Sequence, residues 1–322
     1  MQLVCLGAIN VDLLYRVEDL APFLEAWPLL RAGGEIALGP GEENRLLPLL
    51  NRHGQLLGRQ GGGQAANTAW ALARMGLDAA LLGRVGADAD GAFLRENLAG
   101  VSLDYLVEAG DSGRAYILVD PQGERTILVA LNTNAELSLH DIPLEVLANA
   151  KFLHLTSFAG DGPLEVQKET AHRLQDGPRI TLDPGELYAR RGLEALEGII
   201  DHLDTLLVTE KEWELLGGRP KTHPHWGPPV VVIKRGSKGA RLLTPPRYLD
   251  FPVELFVEPV DTLGAGDVFA AGYLAGRFSG LHLNLAVRLA NRAAAVSVGG
   301  MGREDYPDAE FLEQQLEQLR KI

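Results

Sequence analysis

The chain is nearly devoid of cysteine. Its single thiol, Cys5, sits in the apolar opening QLVCLGAI, so no disulfide can form within the chain and the residue reads as a small buried hydrophobe. Basic charge is short as well. Thirty Lys and Arg stand against 43 Asp and Glu, a formal net charge of −13, which speaks against nucleic acid or an anionic membrane as a partner. No apolar run approaches the roughly 18 residues needed to cross a bilayer. The N-terminus opens directly on a strand pattern, with no basic n-region or cleavage site, so a cytoplasmic location is expected. There is no GxxxxGK[ST] loop, which disfavours a nucleotide-hydrolysing enzyme of that kind. His223 and His225 have no cysteine or further histidine beside them, which disfavours zinc. The four tryptophans follow no interval, and no internal repeat or low-complexity tract is present.

What is present is an ordinary globular composition, 46% hydrophobic and 23% charged over 322 residues, enough chain for one large α/β domain with a substantial core. Its organising stretch is Val257 to Gly276, VEPVDTLGAGDVFAAGYLAG. Asp261 and Thr262 can cap, Gly264, Ala265 and Gly266 are small, and Val268, Phe269, Ala271 and Leu274 follow helical spacing. A helix N-terminus with unpaired N–H groups and no bulky side chain can hold phosphate oxygens. Asp267 would repel such an anion unless it takes a proton from a hydroxyl that attacks it. Read alone, the same residues also make a turn followed by an acid favoured by the helix dipole.

The longer string DTLGAGDVFAAGYL resembles the C-terminal signature of the ribokinase, or PfkB, family of carbohydrate and nucleoside kinases. That resemblance implies Asp267 as catalytic base, with Gly264, Ala265 and Gly266 as the anion hole. It further implies ATP as phosphoryl donor and an α/β, three-layer fold: a mainly parallel central sheet flanked by helices, plus a small β-sheet lid. The whole chain, 1–322, then forms a single ribokinase-like domain, its lid built from insertions at about 12–60 and 112–130.

Taken in order, Leu3 to Ala8 reads as a buried strand with Asn10 and Asp12 just past its end, where open parallel sheets place ligand groups; LGAINVDLLY resembles the family's first strand, whose Asp binds sugar hydroxyls. From Glu18 to Gln60, frequent Gly and Pro predict loops and short strands rather than a long helix. This segment either lines the substrate pocket or forms a subunit interface, giving a homodimer through the lid. Gly61-Gly62-Gly63-Gln64-Ala65-Ala66-Asn67 leads into a small-residue helix. Its likeness to the family's GG-xxx-N element implies substrate contacts from Gly62, Gly63, Gln64 and Asn67. Many relatives carry Lys where this chain has Gln64, which makes a phosphorylated acceptor less expected. Ser112 to Ala130 reads as a hairpin, with Arg125 either solvated or touching substrate. Phe158, where ribokinases carry a substrate-contacting Glu nearby, either stacks on a base or fills the core.

Beyond Asn149, strands at 152–156, 180–182, 206–208 and 230–233 alternate with helices at 163–175, 190–201 and 210–216, the pattern of parallel βαβ units. Carboxylates gathered at the strand ends can bind magnesium. Glu212 occupies the Glu of the family's NxxE element, with Thr209 replacing the Asn, and is expected to hold Mg2+ through water. VVIKRGSKG resembles the strand and turn beside the nucleotide, implying contacts from Lys234, Gly236, Ser237 and Gly239. Thr209, Thr262 and Asn291 are further nucleotide contacts by the same likeness. Asp261, with backbone oxygens from Gly299 to Gly302, is the expected site of a monovalent cation, K+. The acceptor is expected to be a small sugar or sugar acid, with a nucleoside as the alternative. A reading of another class is a catalytically silent sensor that binds sugar or nucleotide.

Overall fold

The computed structural model describes residues 2–322. In chain order its strands are β1 (Leu3–Leu6), β2 (Asn10–Val17), β3 (Glu35–Leu38), β4 (Gly54–Gly62), β5 (Ala79–Val85), β6 (Leu106–Glu108) and β7 (Gly113–Val119). There follow β8 (Arg125–Ala130), β9 (Phe152–Thr156), β10 (Arg179–Asp183), β11 (Thr205–Thr209), β12 (Val230–Lys234), β13 (Ala240–Thr244) and β14 (Arg247–Phe251). A nine-stranded sheet runs β14-β13-β12-β11-β10-β9-β1-β5-β6. It is parallel from β12 to β6 and ends in an antiparallel β12-β13-β14 edge.

The strands are short apolar runs because both sheet faces are covered, as parallel sheets require. Side chains alternate along β1. Val4 and Leu6 join one core with Leu153, Leu155, Ile180 and Leu182, under the helices Asp161–Arg173 and Leu193–Ile200. Leu3 and Cys5 join the opposite core with Leu81, Val268 and Leu274, under the helices Gln64–Arg74 and Ala265–Phe278. This is the three-layer α/β fold the sequence implied. No helix among the described residues is long and apolar enough to cross a membrane.

A second, five-stranded sheet has the order β3-β8-β7-β2-β4. One face packs Tyr116, Leu118, Leu128 and Ala130 against Phe23, Trp27, Leu46 and Leu50. The alternate residues Asp12, Ala115, Val129 and Ala37 pair across the strands in one row of the opposite face, and Ile117, Ile127 and Glu35 form the next. The expectation of no long helix between Glu18 and Gln60 is corrected here, since Glu43–His53 is an 11-residue helix with Pro48 inside it. Buried Leu46 and Leu50 anchor it to the second sheet, and this packing outweighs the missing proline N–H.

Candidate active site

The parallel strands deliver their carboxyl ends to one edge of the main sheet, the usual ligand edge of such folds. Asp183 ends β10, Thr209 ends β11 and Lys234 ends β12. Two helix N-termini meet above them, and the Thr68 hydroxyl donates to the Asp267 carbonyl at 3.3 Å, which ties the helices Gln64–Arg74 and Ala265–Phe278 together. Glycine is required where each of these helices begins. Gly264 has φ +78°, and a Cβ there would lie 2.2 Å from the Tyr306 hydroxyl; a Cβ on Gly62 would lie 2.1 Å from an Asp12 carboxylate oxygen.

Asp267 lies in the first turn of its helix and is 8% exposed. Asn67 Nδ2 donates to its Oδ2 at 2.7 Å. The Asn67 amide is in turn oriented by Arg303, whose Nη2 and Nε donate to Asn67 Oδ1 at 2.7 and 3.1 Å while its guanidinium lies over the Trp70 ring. Burial pushes the Asp267 carboxyl up to about 7, the Asn67 hydrogen bond opposing and Asp183 adding to the rise. Asp12 is likewise pushed up to about 7 by burial, with Arg303 pulling the other way. At the far edge of the second sheet Glu35 reaches about 7 as well, by burial and then by repulsion from Glu186, Asp12 and Glu212. Asp12 thus acts electrostatically on both Glu35 and Asp267, and all three carboxyls lie above their ordinary range. Such perturbed groups collected at a strand edge are what acid–base chemistry needs.

Of the three small residues expected to form an anion hole, Ala265 sits differently, its N–H donating to the Thr262 carbonyl at 3.3 Å. The N–H groups of Gly264 and Gly266 make no hydrogen bond among the described residues, and a Cβ on Gly266 would stand 3.5 Å from Lys234 Nζ. Lys234 is ion-paired with buried Asp183. Burial works against its charge, yet Asp183 and Glu212 outweigh this and hold the ammonium above its usual range. Glu212 is pushed up by burial, with Lys234 opposing. One of its oxygens closes a capping box with Thr209, accepting the Thr209 N–H at 2.7 Å while the Thr209 hydroxyl accepts from the Glu212 N–H at 3.2 Å. The Thr in place of Asn therefore works as a helix cap.

Four expected contacts sit differently. Phe158 is 1% exposed inside the main core, so it fills volume and cannot stack on a ligand. Arg125 Nη2 donates to Asp261 Oδ1 at 2.8 Å, so its charge is spent on the anion loop rather than on an acceptor. Asn291 Nδ2 donates to the Phe251 carbonyl at 3.1 Å, which fixes the end of β14. Gln64 Oε1 accepts from the Ser157 hydroxyl at 3.0 Å, a neutral pair at the start of its helix. Asn10 is held by Asn134, whose Nδ2 donates to its Oδ1 at 2.9 Å. Gly236 and Ser237 form an exposed turn after β12, and Gly239 packs where a Cβ would meet the Phe251 carbonyl at 2.0 Å. Thr262 is exposed at the start of the anion loop. Arg303, Tyr306 and Glu35 were not found by sequence reasoning, because each lies outside the motifs.

A buried carboxylate at an open helix N-terminus, beside a buried cation and near a second buried carboxylate, on the carboxyl edge of a three-layer α/β fold, is the arrangement of a ribokinase-like phosphotransferase. The sequence profile of the pfkB family of carbohydrate kinases matches residues 39–308. The chain belongs to that family and is a carbohydrate kinase. It is 33% identical over 246 residues to an uncharacterized sugar kinase of Archaeoglobus fulgidus, covering 73% of this chain and 98% of that protein. It is 33% identical over 261 residues to an ATP-dependent ribose-1-phosphate kinase of Halopiger xanaduensis, covering 78% of this chain and 85% of the relative. Adenosine kinase of Sinorhizobium meliloti shares the fold with a TM-score of 0.80 at 22% identity, over 98% of this chain and 99% of that one.

Proposed function

We propose that the chain transfers the γ-phosphoryl group of ATP to a hydroxyl of a small neutral sugar. The observation that carries this is Asp267, a buried carboxylate placed by Asn67 at the mouth of a glycine cradle. In its ionised form it accepts the proton of the attacking hydroxyl. The N–H groups of Gly264 and Gly266 face the charge that develops on the transferred group, and Lys234 supplies a cation beside them. Asp12, 8% exposed and with no side-chain hydrogen bond among the described residues, is suited to accept from sugar hydroxyls. Arg303 and Asn67 keep the base oriented.

The donor set is compatible with magnesium bound mainly by phosphates and water, since no group of three or more His, Cys, Asp or Glu side chains among the described residues forms a cage and Mg2+ characteristically keeps several waters. Glu212, with one carboxylate oxygen engaged by Thr209, would hold the ion through water from the other, and Asp183 stands nearby. Bound there, the ion would neutralise phosphate charge.

The acceptor end of the cleft favours a neutral molecule. Glu186 and Asp12 both act against the Glu35 carboxylate there, so an added phosphate or carboxylate would meet like charge. The likeness to a ribose-1-phosphate kinase supports a second reading, a pentose phosphate, with Arg303 as the nearby cation. ADP release from ATP and magnesium should be measured against pentoses, hexoses, 2-keto-3-deoxy sugar acids, ribose 1-phosphate and nucleosides. A neutral sugar giving the highest kcat/KM is the expected result; preference for ribose 1-phosphate would replace it with the second reading, and silence across the panel would turn the protein into a binding module.

The edge strand β4 exposes Leu56 and Leu57, and an exposed apolar sheet edge invites pairing. This supports a homodimer through the second sheet. Sedimentation velocity should give a dimer for the native chain and a monomer for Leu56→Asp/Leu57→Asp; a native monomer would remove the proposal.

A further inference from the structure

Resemblance placed a monovalent cation beside Asp261, among backbone oxygens of Gly299–Gly302. The carboxylate such an ion would need is already engaged. Asp261 Oδ1 accepts from the Leu263 N–H at 2.9 Å and from Arg125 Nη2 at 2.8 Å, and Oδ2 accepts from the Gly302 N–H at 3.1 Å. The Val298 carbonyl accepts from the N–H groups of both Val260 and Asp261, at 2.7 and 3.2 Å, and the Met301 carbonyl accepts from the Glu304 N–H at 3.1 Å. A permanent positive charge therefore already sits on the carboxylate, and the Val298 and Met301 carbonyls are turned to protein donors. The residues present do not fit a bound cation.

The position of that charge in the chain is informative. Arg125 begins β8, directly across from Val119 and next to the turn Asp120–Glu124 of the second sheet. Asp261 is 136 residues away and opens the anion loop. Its side chain is 4% exposed. The carboxyl lies below its ordinary range: burial opposes this, but the Leu263 N–H, Arg125 and the Gly302 N–H outweigh it. Arg125 Nε is buried with no acceptor, so the bond to Asp261 is what holds the guanidinium in place. One carboxylate thus ties together the loop leading into Gly264, the backbone at Gly302 next to Arg303, and the tip of the second sheet.

We propose that Arg125 is a built-in substitute for a monovalent cation: delivered by the lid sheet, its guanidinium orders the anion loop through Asp261 and makes the enzyme independent of K+. The inference rests on the kinase reading above. Arg125 acts as a positioning residue: the pair it makes joins the second sheet, which carries Asp12, to the loop leading into Gly264.

The test compares KCl with tetramethylammonium chloride at equal ionic strength. Wild-type kcat should agree within about twofold between the two salts. Arg125→Ala should lose about tenfold or more in tetramethylammonium, on the scale of weakening an oxyanion site, and should regain a large part of the loss in KCl or on addition of guanidinium, since the vacated carboxylate can then take a cation. Arg125→Lys should stay close to wild type in both salts. A second readout needs no acceptor and no turnover: KCl should raise the melting temperature of Arg125→Ala over tetramethylammonium and leave wild type unmoved. Strong K+ activation of wild type, K+ stabilisation of wild type, or an Arg125→Ala variant that is as active as wild type without K+ would each overturn the inference. If no acceptor is turned over, the kinase reading fails by itself while the melting comparison still decides this one.

Discussion

Asp267→Asn is expected to leave the protein folded and able to bind nucleotide while kcat falls by about three to four powers of ten, the scale of a lost base together with its positioning. Asparagine has the same shape and can still accept from Asn67 Nδ2, as Asp267 does now at 2.7 Å. The measurement that separates chemistry from folding is a pH series. Asp267 is pushed up to about 7 by burial, and it works only when ionised, so wild-type kcat/KM, which reports the free enzyme, should rise with pH through a limb near 7 and level off above it. The linkage to stability has the opposite direction. A carboxyl raised in the fold above its unfolded value favours the folded state at low pH, and this contribution is lost as pH rises through about 7, because the folded state then holds a buried charge that the unfolded chain solvates freely. Asp267→Asn should therefore melt higher than wild type at pH 8 and lose the contrast at pH 4. Near-normal turnover in this variant would end the role assigned to Asp267.

Much of this site was legible before the fold was known, and the reason is local. Gly264, Ala265, Gly266 and Asp267 lie within a single helical turn, so the chemistry proposed for them is written in consecutive residues. The same holds for Gly62, Gly63 and Asn67 where the other helix begins. The alternation of short apolar strands and helices after Asn149 was equally clear, since burial on both faces leaves little choice of residue. What sequence reading missed depends on long-range packing. Arg303 reaches Asn67 across 236 positions, and nothing in GREDY marks it as a site residue. Glu35 becomes unusual because the second sheet buries it and then carries it toward Glu186, Asp12 and Glu212. Phe158 could be read either as a stacking ring or as core, and burial decides for the core. Thr209 looked like a damaged metal element, yet its hydroxyl and N–H complete a capping box with Glu212. The helix Glu43–His53 was hidden by Pro48 and the glycines around it, because propensity is a weak prior where an apolar stripe can be buried.

Lys234 joins the stability of the site to its chemistry, and two variants separate them. It is nearly buried, paired with Asp183, and faces Glu212 and Asp267 in addition, so one cation balances three carboxylates. Lys234→Met should destabilise the protein by about 3–5 kcal/mol, the usual result of removing one member of a buried ion pair and leaving the other charged and dry. It should also lower kcat/KM for ATP by about 10²–10³, since the glycine cradle at Gly264 and Gly266 loses the cation beside it. Adding Asp183→Asn removes the stranded charge. The double variant Lys234→Met/Asp183→Asn should regain most of the stability in urea unfolding, because the loss in the single variant comes from the uncompensated carboxylate. It should regain none of the turnover, because a neutral pair offers nothing to a transferred phosphoryl group. Recovery of both would make Lys234 a structural counter-ion for Asp183 alone. Recovery of stability without turnover assigns the ammonium to the nucleotide's phosphates, with Asp183 holding it in position between catalytic cycles.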